Sequence, residues 1–184
     1  MRKIMTRRFF ICVLFAFSAI FSSFAQSLPE GYASVRLGMS VEQVKKELKN
    51  DPQFGYRGDR DVSMLPGQDK VLIETDTSRT NPLSYLDRCW FQFYDGKLYI
   101  ITININKDKM DHYSVFSTLC KKYGNPQTLN PEKSEWKDGR VMMSLERPLA
   151  LKYTDQKVFE ELQNKAKVQE TIEEERKEDF LNSL

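Results

Sequence analysis

The dipeptide Asp95-Gly96 stands between two runs, Cys89 to Tyr94 and Leu98 to Ile105, that are dominated by aromatic and β-branched residues. Asp-Gly tolerates the positive φ angles of a type I′ turn, whose twist matches that of two antiparallel strands. The arrangement predicts a β-hairpin with a two-residue loop. Tyr94 then pairs with Lys97, Phe93 with Leu98 and Phe91 with Ile100. Strand side chains alternate between faces, so Phe91, Phe93, Leu98 and Ile100 share one side. Trp90, Tyr94, Tyr99, Ile101 and Ile103 share the other. Two apolar faces demand cover on both sides, or leave one for a partner. Trp90, Tyr94 and Tyr99 form the candidate partner surface.

Helix signals bracket the hairpin. Ser40 followed by Gln43 reads as a capping box, with Met39 and Val44 as a hydrophobic staple. Val41, Val44 and Leu48 fall at helical spacing, and Asn50-Asp51-Pro52 ends the run. Asp111 caps a second helix whose stripe is Val115, Phe116, Leu119, Cys120 and Tyr123, stopped by Gly124 and Pro126. Between the first helix and the hairpin, residues 53–70 read as a polar loop carrying Gly55, Gly58, Pro66 and Gly67, followed by a short strand from Val71 to Thr75. Asp59 and Asp61 lack the third acid, glycine and closing glutamate of a calcium loop. A second hairpin is expected from Glu135 to Leu145 with Asp138-Gly139 as its turn, then a strand from Leu149 to Tyr153. From Asp155 the spacing of Val158, Phe159, Leu162 and Ala166 is helical. Residues 170–179 hold six acids and two bases and read as a solvated extension.

The N-terminus sets the compartment. Arg2, Lys3, Arg7 and Arg8 precede an apolar-or-small run from Phe9 to Phe21, and Ser23-Phe24-Ala25 supplies small residues for signal peptidase. The run of about 13 residues falls short of the roughly 20 that span a bilayer. The pattern predicts a signal peptide over 1–25, cut between Ala25 and Gln26, and a periplasmic or secreted product. Cleavage removes four of the chain's 28 basic residues and none of its 26 acidic ones, turning a formal +2 into −2. The remaining charges are interspersed, which argues against nucleic acid as a partner. Cys89 and Cys120 are the two cysteines left, and in an oxidising compartment they are a candidate disulfide.

The chain also repeats itself in outline. Leu48-Lys49-Asn50-Asp51-Pro52 is echoed by Tyr123-Gly124-Asn125-Pro126, and Phe93-Tyr94-Asp95-Gly96-Lys97-Leu98 by Trp136-Lys137-Asp138-Gly139-Arg140-Val141. The expected architecture is α+β: an antiparallel sheet of about five to seven strands with helices on one face, built as a tandem helix-plus-hairpin repeat, and a C-terminal helix. Residues 26–167 form one domain with subunits 35–106 and 107–154, followed by a charged helical extension over 168–184.

Leu37-Gly38-Met39-Ser40-Val41-Glu42-Gln43-Val44, with its later Pro and its Asp-Gly-Lys-Leu strand turn, resembles the SmpA/OmlA group of exported bacterial proteins over about residues 35–105. Members of that group are accessory lipoproteins of the outer-membrane assembly machine. The resemblance implies a non-enzymatic scaffold that binds other envelope proteins. Related-looking tandem units also occur in secreted inhibitors of the β-lactamase-inhibitor type. His112, the single histidine, has no nucleophile motif beside it, and the glycines are scattered singly. No catalytic residue, metal ligand or cofactor site is expected. The functional expectation is an exported protein-interaction module, with a carrier of small apolar ligands or a secreted inhibitor as alternatives.

Overall fold

A computed structural model describes residues 27–64, 70–78 and 80–184. The expected signal segment and its Ala25-Gln26 junction lie outside these residues, as do Pro66 and Gly67. Helix α1 (Val41–Asn50) begins as its sequence dictates: Ser40 Oγ accepts from the Gln43 amide at 3.3 Å and Gln43 Oε1 accepts from the Ser40 amide at 2.9 Å. Helix α2 (His112–Tyr123) starts where the Asp111 carboxylate accepts from the Ser114 amide at 2.9 Å, and stops at Gly124 with φ +80°. Val44 and Leu48 of α1 and Leu119 of α2 are buried in one common core.

Strands β1 (Gly31–Tyr32) and β2 (Val35–Arg36) make a small ribbon. The main sheet holds β3 (Val62–Met64), β4 (Lys70–Asp76), β5 (Leu86–Tyr94), β6 (Lys97–Ile105), β7 (Thr128–Leu129), β8 (Lys133–Asp138), β9 (Val141–Glu146) and β10 (Ala150–Asp155). Their order is β3-β4-β5-β6-β10-β9-β8-β7, with every neighbouring pair antiparallel. The chain thus forms two halves of one topology, each a helix followed by a four-stranded meander. They meet through their last strands, where Ile101 faces Tyr153. Eight strands form where five to seven were expected. The additional ones include the edges β3 and β7, three and two residues long, too short to display alternation.

Asp95 and Gly96 take φ of +48° and +66°, and Tyr94 and Phe93 pair with Lys97 and Leu98 as expected. The register then departs from the expectation. Gln92 pairs with Ile100 and Phe91 with Ile101, so the expected Phe91–Ile100 pair does not form. An irregularity at Tyr99 inserts one residue into β6, and past a bulge every side chain changes face. Ile101 and Ile103 therefore join Cys89, Phe91, Phe93 and Leu98 against the helices, all at most 1% exposed. Ile100 moves to the opposite side. The second turn also shifts by one residue: Asp138 pairs with Val141, leaving Gly139-Arg140 as the loop.

The segment read as a polar loop is partly core. Phe54 ends a 3-10 turn (Pro52–Phe54) and is fully buried, its ring edge-on to Phe91 at 5.8 Å and to Tyr32 at 6.0 Å. Asp61 is buried too, accepting from the Arg57 amide at 2.8 Å and from the guanidinium at 2.8 and 3.1 Å. A buried charge is tolerated when it is paired and fully hydrogen-bonded. Asp59 instead faces Lys45 at 3.3 Å, and no group able to hold a metal ion occurs among the described residues.

The candidate disulfide is not formed. Cys89 and Cys120 are both free thiols. Cys89 is buried in β5 between Thr75 of β4 and Ile103 of β6. Cys120 lies on α2, the helix whose Phe116 packs on Trp136 of β8, three strands beyond β6.

Helix α3 (Gln156–Asn182) follows β10 directly. Its cap Asp155 is buried, accepting from the Val158 amide at 3.3 Å and from Arg140 Nε at 2.7 Å. Val158, Phe159 and Leu162 are half-buried, and every residue from Gln163 onward is exposed. No helix among the described residues is long and apolar enough to cross a membrane.

Candidate functional site

The bulge and α3 together decide what becomes of the expected partner surface. Trp90, Gln92 and Tyr94 project from β5 on the side away from α1 and α2. Tyr99 is only 9% exposed. Its hydroxyl reaches Gln92 Oε1 at 3.5 Å and its ring meets Tyr94 edge-on at 6.4 Å. Lys165 of α3 lies over the Tyr94 ring, 5.3 Å from its centre, and its ammonium donates to the Tyr94 hydroxyl at 2.8 Å. The same ammonium pairs with Glu161 at 2.7 Å, and these two hydrogen bonds hold its pKa above that of a free lysine. Tyr94 and Tyr99 are thus occupied by the chain itself. Trp90, half-buried, is the member of the trio that remains open to a partner.

A different surface is better shaped for binding. Between the first turns of α2 and the β7–β8 hairpin runs a half-open groove of about 370 Å³. Tyr113 and Phe116 form one wall, Leu129 and Pro131 the other, and buried Ser134 lies at the bottom. Tyr113 is 75% and Leu129 66% exposed. Large apolar side chains displayed together beside a concavity are the usual mark of a recognition surface. The groove exists because of two local constraints. Trp136 Nε1 donates to the Gly124 carbonyl at 2.9 Å, fixing the end of α2 to β8. Asn130 Oδ1 accepts from the Glu132 and Lys133 amides at 2.9 and 2.8 Å, folding the β7–β8 connection tightly.

The rim of the groove carries donors. Arg147 Nε donates to the Pro131 carbonyl at 2.8 Å, which holds the guanidinium at the mouth. His112, the single histidine, lies here as well. Desolvation, and then the nearby Arg147 charge, hold its pKa below the ordinary imidazole value. No hydrogen bond engages its ring among the described residues. Lys133 also lines the groove, its ammonium donating to Glu135 at 2.6 Å.

At the end of β8 away from the groove, the strand edge is covered at Lys137. Past the end of β7, the Gln127 side chain does what a strand would do: Oε1 accepts from the Lys137 amide at 2.9 Å and Nε2 donates to the Lys137 carbonyl at 3.2 Å. Covering an edge in this way blocks pairing with another chain.

Sequence reasoning placed Phe116 on the buried stripe of α2 and did not single out Tyr113, Leu129 or Arg147. A signal was present: Tyr113 is a large aromatic at the margin of that stripe, one turn before Phe116, and Leu129 is an isolated apolar residue between Thr128 and Asn130.

No curated protein and no solved structure matches the chain. A family model does, from Glu30, just before the β1–β2 ribbon, to Lys165, the residue that reaches Tyr94 before α3 leaves the sheet. The matched stretch takes in both helix-plus-meander halves and the groove, and the chain belongs to the TP0088 domain family.

Proposed function

We propose that the protein is an exported, non-enzymatic interaction module of the bacterial envelope, and that the groove between α2 and the β7–β8 hairpin is the surface it presents. The groove carries this reading. It is apolar, it is bordered by solvent-facing Tyr113 and Leu129, and it opens on a domain whose interior is already filled by Phe54, Phe91, Phe93 and Trp136. The signal segment and the SmpA/OmlA resemblance supply the compartment and the kind of partner. A carrier of small apolar ligands would want an enclosed cavity, and this groove opens to solvent.

The test is a photo-reactive side chain placed at Tyr113 in one preparation of the mature chain and at Trp90 in another, each irradiated in envelope extract of the source organism. A discrete protein adduct from position 113 and none from position 90 is the expected result. The absence of any adduct from position 113 refutes the reading. Adducts from position 90 alone favour the secreted-inhibitor alternative, which draws on the tandem organisation and would use the outer face of the sheet.

A further inference from the structure

The groove's polar groups narrow what it can accept. Arg147 spends only its Nε on the Pro131 carbonyl, so its two terminal nitrogens are without a partner among the described residues. Asn130 spends its Oδ1 on two backbone amides, leaving the Nδ2 hydrogens likewise unengaged. No carboxylate lines the groove, and Lys133, which does, is paired with Glu135. The rim thus offers a guanidinium fork and an amide donor next to an apolar trough, with the His112 imidazole beside them. A guanidinium with both terminal nitrogens open matches a carboxylate in two parallel hydrogen bonds.

We infer that the groove reads a segment of a partner protein in which an aromatic or long aliphatic side chain stands next to an aspartate or glutamate. The apolar side chain lies between Tyr113, Phe116 and Leu129, and the carboxylate meets Arg147 and Asn130. This inference rests on the protein-interaction reading and gives its partner a chemistry.

A phage-displayed library of random heptapeptides, sorted on the immobilised mature chain, tests it. Enriched clones should share an apolar residue beside Asp or Glu. In the tightest clone, acid-to-amide replacement should weaken binding about tenfold, the scale of one charge-assisted hydrogen-bond pair. Arg147→Gln should weaken it by about the same factor, and the two changes together should cost no more than either alone, because they remove one interaction. Clones without an acidic preference, or clones for which Arg147→Gln changes affinity less than about twofold, overturn the inference. The interaction reading survives that result if Tyr113→Ala and Leu129→Ser still abolish binding. Both positions are exposed, so these variants keep the fold, which a thermal melt verifies. No enriched clone, or clones indifferent to Tyr113→Ala and Leu129→Ser, overturns the groove as a docking surface and the inference with it.

Discussion

Trp136 is the residue on which the groove depends, and its replacement can be worked through quantitatively. The indole is 1% exposed, its ring lies 6.2 Å from Phe116, and its N–H donates to the Gly124 carbonyl at 2.9 Å. Trp136→Phe keeps an aromatic ring in the core and loses the donor. The abandoned carbonyl belongs to a half-buried residue that water can reach, so that loss costs about 1 kcal/mol. The vacated part of the indole adds roughly 1 kcal/mol of cavity. Trp136→Ala removes the ring altogether and costs about 3–5 kcal/mol. For a domain of this size each kcal/mol lowers Tm by about 2–4 °C, which places Trp136→Phe some 4–8 °C below the parent. Urea unfolding followed by circular dichroism gives the free energies. Trp90, then the single remaining tryptophan, reports separately on the β5–β6 half. A Trp136→Phe variant within about 0.5 kcal/mol of the parent, with Trp136→Ala costing under about 1.5, refutes the claim that this indole ties α2 to the sheet.

Asp155→Ala removes the cap of α3 and the Arg140 partner together, and a loss of about 2 kcal/mol in chemical denaturation is expected; Asp155→Asn, which can still cap, should lose less. Burial pushes the Cys89 thiol up to about 12 from 9.0. A raised folded-state pKa gives stability that is full below pH 9 and lost as pH rises through 12, so the alkaline fall in the urea midpoint should shrink in Cys89→Val. In native protein Cys120 should react with a thiol reagent and Cys89 should wait for unfolding. Deleting residues 169–184, all exposed, should leave stability within about 0.5 kcal/mol, and a drop of several degrees in Tm would show that the tail packs on something.

Much of the scaffold was legible because it depends on local chemistry. Ser40 and Gln43, Asp111 and Gly124, and Asp95-Gly96 each act within a few residues of themselves, and each does what its type predicts. The helix-end echo falls at like places in the two halves of the sheet, but the Asp-Gly echo does not: Asp95-Gly96 joins the third and fourth strands of its half, and the Asp138-Gly139 turn the second and third of the other. What escaped was long-range or too short to pattern. The extra residue at Tyr99 exchanges Ile100 with Ile101, and nothing in the alternation announces it. Phe54 and Asp61 look like loop residues until β4 and β5 fold over them. The cover that α3 lays on Tyr94 depends on the direction in which a helix leaves β10, which spacing does not encode. The groove is harder still: Tyr113, Leu129 and Arg147 are brought together only when α2 docks on β8.

The groove's role is most directly tested by amide hydrogen exchange on the mature chain with and without the tightest acidic-apolar peptide. The account predicts slowed exchange in residues 112–119 and 128–136, with β5 and β6 unchanged. Protection confined to residues 88–104, on the face bearing Trp90, would contradict it and return recognition to the hairpin.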